Sequence, residues 1–146
     1  MENYEILKLL FETHHKQLEE KRKRVQDITE RTILLLTIIA GWLISSNYSI
    51  KKEFKMIIIL SLIIITLIAF YLIYINLGSY YKIFSVIKKI NIAFGLYTKD
   101  KFIPDDSLYP EEWKNYGPKI KLGGLIAYWI IILLMSSVCV AVVLSI

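Results

Sequence analysis

Three stretches of the chain contain no charged residue and consist mainly of apolar side chains, with isoleucine and leucine prominent. Met56 to Leu77 is the clearest, because a helix of this length covers about 33 Å, enough for the hydrocarbon core of a bilayer. Gly123 to Ile146 is the second. The third lies between Arg31 and Lys51, where only Ile33 to Ile44 is strongly apolar and polar residues follow.

Taken alone, the third stretch has two interpretations: a buried or interfacial helix, or the first arm of a transmembrane hairpin. The short polar connector before Met56 favours the hairpin. Buried β-strands would need turn residues every few positions, and none interrupt these runs. In lipid, uncharged runs of this length satisfy their backbone groups only as helices. The sequence therefore predicts an all-α membrane protein with transmembrane helices at 31–48, 56–77 and 123–146.

Two further helices are predicted outside the bilayer. Residues 3–30 contain no glycine or proline and carry four acidic–basic pairs at i,i+4 spacing, which predicts a solvated helix continuous with the first span. Residues 78–97 have apolar side chains at helical spacing, and Gly78 permits a kink at the membrane surface. We expect these two segments to form an antiparallel cytoplasmic stalk, so that the whole chain is a single membrane domain.

The first of these helices also carries a pattern suited to packing. A 4-3 spacing, interrupted by two polar residues, runs through Leu7, Phe11, His14, Leu18, Lys21, Val25 and Ile28. Its strongest apolar part predicts a docking surface for a partner, formed by Ile6, Leu7, Leu10 and Phe11.

Residues 98–121 are rich in Asp, Pro and Gly and are predicted to form a cytoplasmic loop. Pro110 suits the first turn of a short helix, which Gly117-Pro118 ends. Trp113 in this helix is either an anchor that packs the loop on the stalk, which we favour, or a candidate partner contact. The acidic residues of the loop allow either a cation site or a solvated capping role, and their spacing matches no calcium loop.

The net charge of +5 is distributed unevenly along the chain. Seven Lys and Arg precede the first span and eight lie between the second and third, against three in the hairpin connector. The positive-inside rule then places the amino terminus and the long loop in the cytoplasm, in a cell inner membrane. The run Lys21 to Arg24 allows nucleic-acid binding, but beside a span a topology signal or anionic-lipid contact is favoured, so no nucleic-acid partner is expected.

Residues that carry chemistry are few. The sequence has no phosphate-binding loop, no nucleophile elbow and no paired-histidine metal motif, so we expect no catalytic residue, no metal and no cofactor. His14 and His15 point to different sides of a helix, and Cys139 lies alone in an apolar run. Apart from Arg31 at the start of the first, the predicted spans contain no Asp, Glu, Lys, Arg or His, which argues against an ion-coupled transporter.

Hydroxyl groups are the notable polar feature of the spans. They suit either helix–helix packing, which is the default, or the lining of a narrow pore if several copies assemble. The candidate residues are Thr37, Ser61, Thr66, Ser136 and Ser137.

The charged run KRKRVQDITER, followed by the spans RTILLLTIIAGWLISS and MIIILSLIIITLIAFYLIYINL, resembles the SLATT group of bacterial two-transmembrane effector domains in its architecture. The resemblance covers residues 3–97, while the loop PDDSLYPEEW and the third span fall outside that plan. It implies a role in antiphage defence by permeabilising the membrane, and it identifies no functional residues.

Two functions follow as hypotheses. The first is a small homo-oligomeric inner-membrane effector that disrupts the bilayer when a cytoplasmic protein partner or signal activates it. The second is a non-enzymatic membrane anchor or accessory subunit that recruits a cytoplasmic protein. Neither hypothesis makes the chain an enzyme.

Overall fold

The computed structural model describes residues 2–45, 50–115 and 122–146, and is all-α in these ranges. Its helices are α1 (Glu2–Ser45), α2 (Lys52–Phe94), α3 (Glu111–Asn115) and α4 (Leu122–Ser145). The described residues form no β-strand, only an isolated bridge between Ile103 and Asp106.

Helices α1 and α2 each join a predicted span to the predicted helix next to it in sequence. Residues 3–30 and the described part of 31–48 belong to one helix, α1, and α2 continues from the second span through Gly78 without a break. Helix α3 begins directly after Pro110, as predicted. The predicted stop at Gly117-Pro118 lies outside the described residues.

Helix α2 ends at Phe94, three residues before the predicted end at position 97, because Gly95 has a φ of 73°. The N–H of Leu96 donates to the carbonyl of Asn91 at 3.1 Å and that of Gly95 to Ile92 at 2.9 Å, which is the Schellman arrangement. Lys101 Nζ donates to the carbonyl oxygen of Phe94 at 2.6 Å, placing a cation at the negative end of the helix dipole.

The chain divides into two compact units. We call Met1–Lys23 with Leu77–Lys121 the helix–loop unit, and Arg24–Asn76 with Leu122–Ile146 the bundle unit. Helices α1 and α2 each contribute residues to both.

In the helix–loop unit, aromatic rings join α1 to the end of α2. The Phe94 ring lies 5.6 Å from Tyr4 and 6.5 Å from Phe11, both in edge contacts. Between residues 4 and 23 every position is exposed except five, which are half-buried: Leu7, Phe11, His14, Leu18 and Lys21. These are the first five positions of the predicted 4-3 spacing. None of the four predicted acidic–basic pairs lies within 4.0 Å in the described residues, because these mostly exposed side chains extend into solvent, and Glu19 instead lies 3.7 Å from His15.

In the bundle unit, buried residues follow spacings of mostly three and four residues, so each helix buries one face. On α1 they are Val25, Thr29, Thr32, Leu36, Ala40 and Leu43. On α2 they are Leu62, Thr66, Ala69 and Ile73, and on α4 they are Leu125, Ile132, Ser136, Cys139 and Val143.

The centre of the bundle is an apolar cluster drawn from all three helices. It contains Leu36, Ala40, Leu43, Leu62, Cys139 and Val143. The Cys139 thiol donates to the carbonyl oxygen of Leu36 at 3.2 Å, so these two residues lie at one height. Farther along, the rings of Phe70 and Trp129 stack at 5.1 Å. By length and composition, α1, α2 and α4 each qualify to cross a membrane.

We predict that Leu62→Ala destabilises the bundle by about 2 kcal/mol, because it leaves a cavity in the packed cluster. Leu67→Ala on the exposed face of α2 removes the same atoms and is expected to change stability by less than about 0.5 kcal/mol. Unfolding of both variants in detergent, followed by helical circular dichroism, makes the comparison. Equal effects of the two substitutions would contradict the packing described.

Candidate functional site

Two of the five candidate hydroxyls meet inside the bundle. The Thr66 and Ser136 oxygens lie 3.0 Å apart, and both residues are buried. Thr66 Oγ1 also lies 2.8 Å from the carbonyl oxygen of Leu62. Thr66 has one hydroxyl proton, so when it donates to Leu62, Ser136 donates to Thr66 and both hydroxyls are satisfied. This pair joins α2 to α4 and fits helix packing.

The other three hydroxyls lie on exposed faces of the bundle unit. Thr37 donates to the carbonyl of Ile33, Ser61 to that of Ile57 and Ser137 to that of Leu133, each at 2.8 or 2.9 Å. These bonds within a helix satisfy the hydroxyl protons and leave their oxygens free to accept. The sequence shows which residues are polar but not this division between inner and outer faces.

The Thr66–Ser136 bond is expected to contribute about 0.6 kcal/mol, in line with interhelical hydrogen bonds in membrane proteins. A double-mutant cycle of Thr66→Val and Ser136→Ala in detergent measures the coupling. Ser137→Ala, which removes an exposed hydroxyl one residue away, serves as control and is expected to show no coupling to Thr66→Val. A coupling free energy of zero between Thr66→Val and Ser136→Ala would show that this hydrogen bond does not stabilise the bundle.

The four predicted docking residues of α1 also lie on two different faces, one exposed and one packed. Ile6 and Leu10 are exposed, at 52% and 42%, whereas Leu7 and Phe11 are half-buried on the face that packs in the helix–loop unit. The exposed pair is extended by one further exposed residue that the sequence analysis did not single out, Leu9. We call Ile6, Leu9 and Leu10 the α1 apolar patch.

The loop is attached to the end of α2 by Tyr109 rather than by Trp113. The Tyr109 N–H donates to the carbonyl of Leu96 at 2.9 Å, and its ring lies 5.8 Å from that of the buried Tyr97. Trp113 contacts Tyr109 at 6.0 Å and remains 54% exposed. Tyr109 lies in a loop segment that has no helical or strand periodicity, so no sequence pattern indicated that it packs on α2.

Two aspartate side chains form hydrogen bonds with the backbone of the loop. The Asp100 carboxylate accepts from the N–H of Asp105, and the Asp106 carboxylate accepts from the N–H of Ser107, each at 2.7 Å. The positive φ of Asp100 and Asp105, 62° in both, suits the tight turn that these bonds close. In the part of the chain that the structure describes, no group of three or more His, Cys, Asp or Glu side chains is placed to hold a metal ion.

Comparison of the chain with known protein families, with curated proteins and with solved structures finds no match.

Proposed function

We propose that this chain is a three-span inner-membrane protein, with the bundle unit in the bilayer and the helix–loop unit in the cytoplasm. The apolar outer faces of α1, α2 and α4 support insertion, because a soluble protein rarely exposes apolar surface on this scale. The excess of Lys and Arg before the first span and in the long loop supports the orientation.

Within that membrane protein, we propose the role of an oligomeric effector of bacterial antiphage defence that permeabilises the membrane when activated. The observation that carries the proposal is the outward placement of Thr37, Ser61 and Ser137 on three different helices. The centre of a single bundle is filled by Leu36, Leu62 and Cys139, so a polar path forms between copies rather than through one. The exposed hydroxyls of Ser61 and Ser137 then provide its lining, and the Thr37 hydroxyl lies where copies meet.

Activation reaches the bundle through the two long helices. Glu2–Ser45 and Lys52–Phe94 are each uninterrupted, and each has one part in the helix–loop unit and another in the bundle unit. A partner that binds the helix–loop unit therefore acts on the same helices that carry Thr37 and Ser61.

Membrane potential tests the effector role, using a voltage-sensitive dye in bacteria that express the chain with its native neighbouring genes during phage challenge. We expect prompt depolarisation, slowed about tenfold by the triple substitution Thr37→Val, Ser61→Ala and Ser137→Ala, since it removes the outward hydroxyls. Thr66→Val removes an inward hydroxyl and is expected to depolarise like the wild type. An unchanged potential during a challenge that the cells demonstrably resist would contradict the effector role.

A second candidate function, the membrane anchor, is favoured by the α1 apolar patch. Three exposed apolar side chains within five residues of a helix suit a protein partner. We predict that Ile6→Glu with Leu10→Glu lowers recovery of a co-purifying cytoplasmic protein at least about tenfold. Lys8→Glu, at an exposed position on another face of the same helix, is the control. Equal recovery from all variants would count against the anchor.

A further inference from the structure

Helix α1 carries charged side chains on the exposed face of the bundle unit. Glu30 and Arg31 are exposed and Asp27 is half-buried. In the described ranges, none of the three forms an ion pair within 4.0 Å or a side-chain hydrogen bond.

The height of these charges in the bundle follows from the packing. Leu36 bonds to Cys139 and shares its cluster with Leu62, so five residues back along α1 Arg31 lies at about the height of Leu67 and Leu134. From Leu134 toward the amino end of α4, the next twelve positions, to Leu122, carry no charge. From Leu67 toward the carboxyl end of α2, the next nine positions, to Asn76, carry none either.

The charge-free length on the other side of this height is short for a bilayer. On α2 the charge-free run begins at Met56, eleven positions before Leu67, a rise of about 17 Å, whereas the hydrocarbon core is about 30 Å thick. If α2 and α4 use their apolar length, Glu30 and Arg31 lie inside the hydrocarbon boundary. An arginine reaches the headgroups by extending its side chain, but the shorter Glu30 does not reach as far.

We propose that a second copy of this chain covers this face of α1, with Glu30 of each copy paired to Arg31 of the other. The two residues are adjacent in sequence and about 100° apart on the helix, so they cannot face each other within one chain. In two parallel helices related by a twofold axis, each flank of the contact face meets the opposite flank of the other copy, so Glu30 on one flank meets Arg31 on the other. The pairing is therefore reciprocal and compensates both charges in lipid.

The same face permits close approach of two helices. After Glu30 it continues at a 4-3-4 spacing through Leu34, Thr37 and Gly41, all of them exposed. No atom lies within 4 Å of the position that a Cβ on Gly41 would occupy. Small residues at such positions let helix backbones pack closely in lipid. Asp27, which is half-buried, lies on the same face one turn before Arg31.

This contact rests on the proposed membrane insertion and specifies how the oligomer forms. The experiment is disulfide formation in isolated membranes, using the full chain with Cys139→Ala and one new cysteine. Leu34→Cys places it on the proposed face, and Leu67→Cys and Leu134→Cys place it on α2 and α4 as controls. The three leucines are matched in exposure at 61%, 59% and 63%.

We expect Leu34→Cys to give at least about tenfold more disulfide dimer than either control. Adding Glu30→Arg or Arg31→Glu singly lowers that yield about tenfold, through repulsion across the contact, and the double swap Glu30→Arg with Arg31→Glu restores it. Rescue by the double swap separates pairing between copies from a general effect of charge on insertion.

Equal dimer yields at all three cysteines, or single swaps that leave the Leu34→Cys yield unchanged, would overturn the proposed contact. Retention of each variant in the membrane pellet after alkaline carbonate extraction is measured in parallel. A chain released by carbonate contradicts the membrane proposal, whereas a retained chain without preferential dimer contradicts the α1 contact alone.

Discussion

The packing of one narrow face of each helix against two others is the interaction on which the bundle depends. Buried residues at spacings of mostly three and four occur on α1, α2 and α4, and they place Leu36, Leu62 and Cys139 at one height. Each helix can bury only this face in a three-helix bundle, so the remaining faces stay exposed. In lipid such apolar faces need no further cover, and the association of helices depends on close packing and a few hydrogen bonds.

A polar residue therefore has a different role on the buried face of a helix and on an exposed face. Ser136 and Thr66 are buried and satisfy each other, so they contribute to the fold. Thr37, Glu30 and Arg31 lie instead on the exposed face of α1. Polar groups on an exposed face need water, lipid headgroups or another protein surface as partners. In the described residues, the outer face of α1 combines Glu30 and Arg31, the Thr37 hydroxyl and Gly41, and it is the face at which we propose that two copies meet.

The sequence predicted the all-α class and the positions of the long helices, because runs such as Met56 to Leu77 have only one stable form in lipid. The 4-3 spacing from Leu7 to Lys21 also predicted which face of α1 is covered in the helix–loop unit. The sequence also predicted that the helix of residues 3–30 continues into the first span, but it left open a kink at Gly78, where α2 in fact continues without a break. Composition could not separate Ser136 from Ser137 either, although one is buried and the other is exposed.

Two features depended on tertiary contacts without a sequence signature. Tyr109 holds the loop through a backbone bond to Leu96, and nothing in the local pattern distinguishes it from Trp113. The height of Arg31 in the bundle follows only from the contact between Leu36 and Cys139. From the sequence, Arg31 marks the beginning of a span, whereas the packing places it well within the apolar length of α2 and α4.

The most direct test of the account is the membrane topology of the chain in intact bacterial cells. In a Cys139→Ala background, single cysteines at Lys16, Lys51 and Lys99 are treated with a membrane-impermeant thiol reagent. The account predicts labelling of the Lys51→Cys variant in intact cells, and labelling of the other two only after the inner membrane is permeabilised. Labelling of Lys16→Cys or Lys99→Cys in intact cells, or protection of Lys51→Cys, would contradict the proposed insertion.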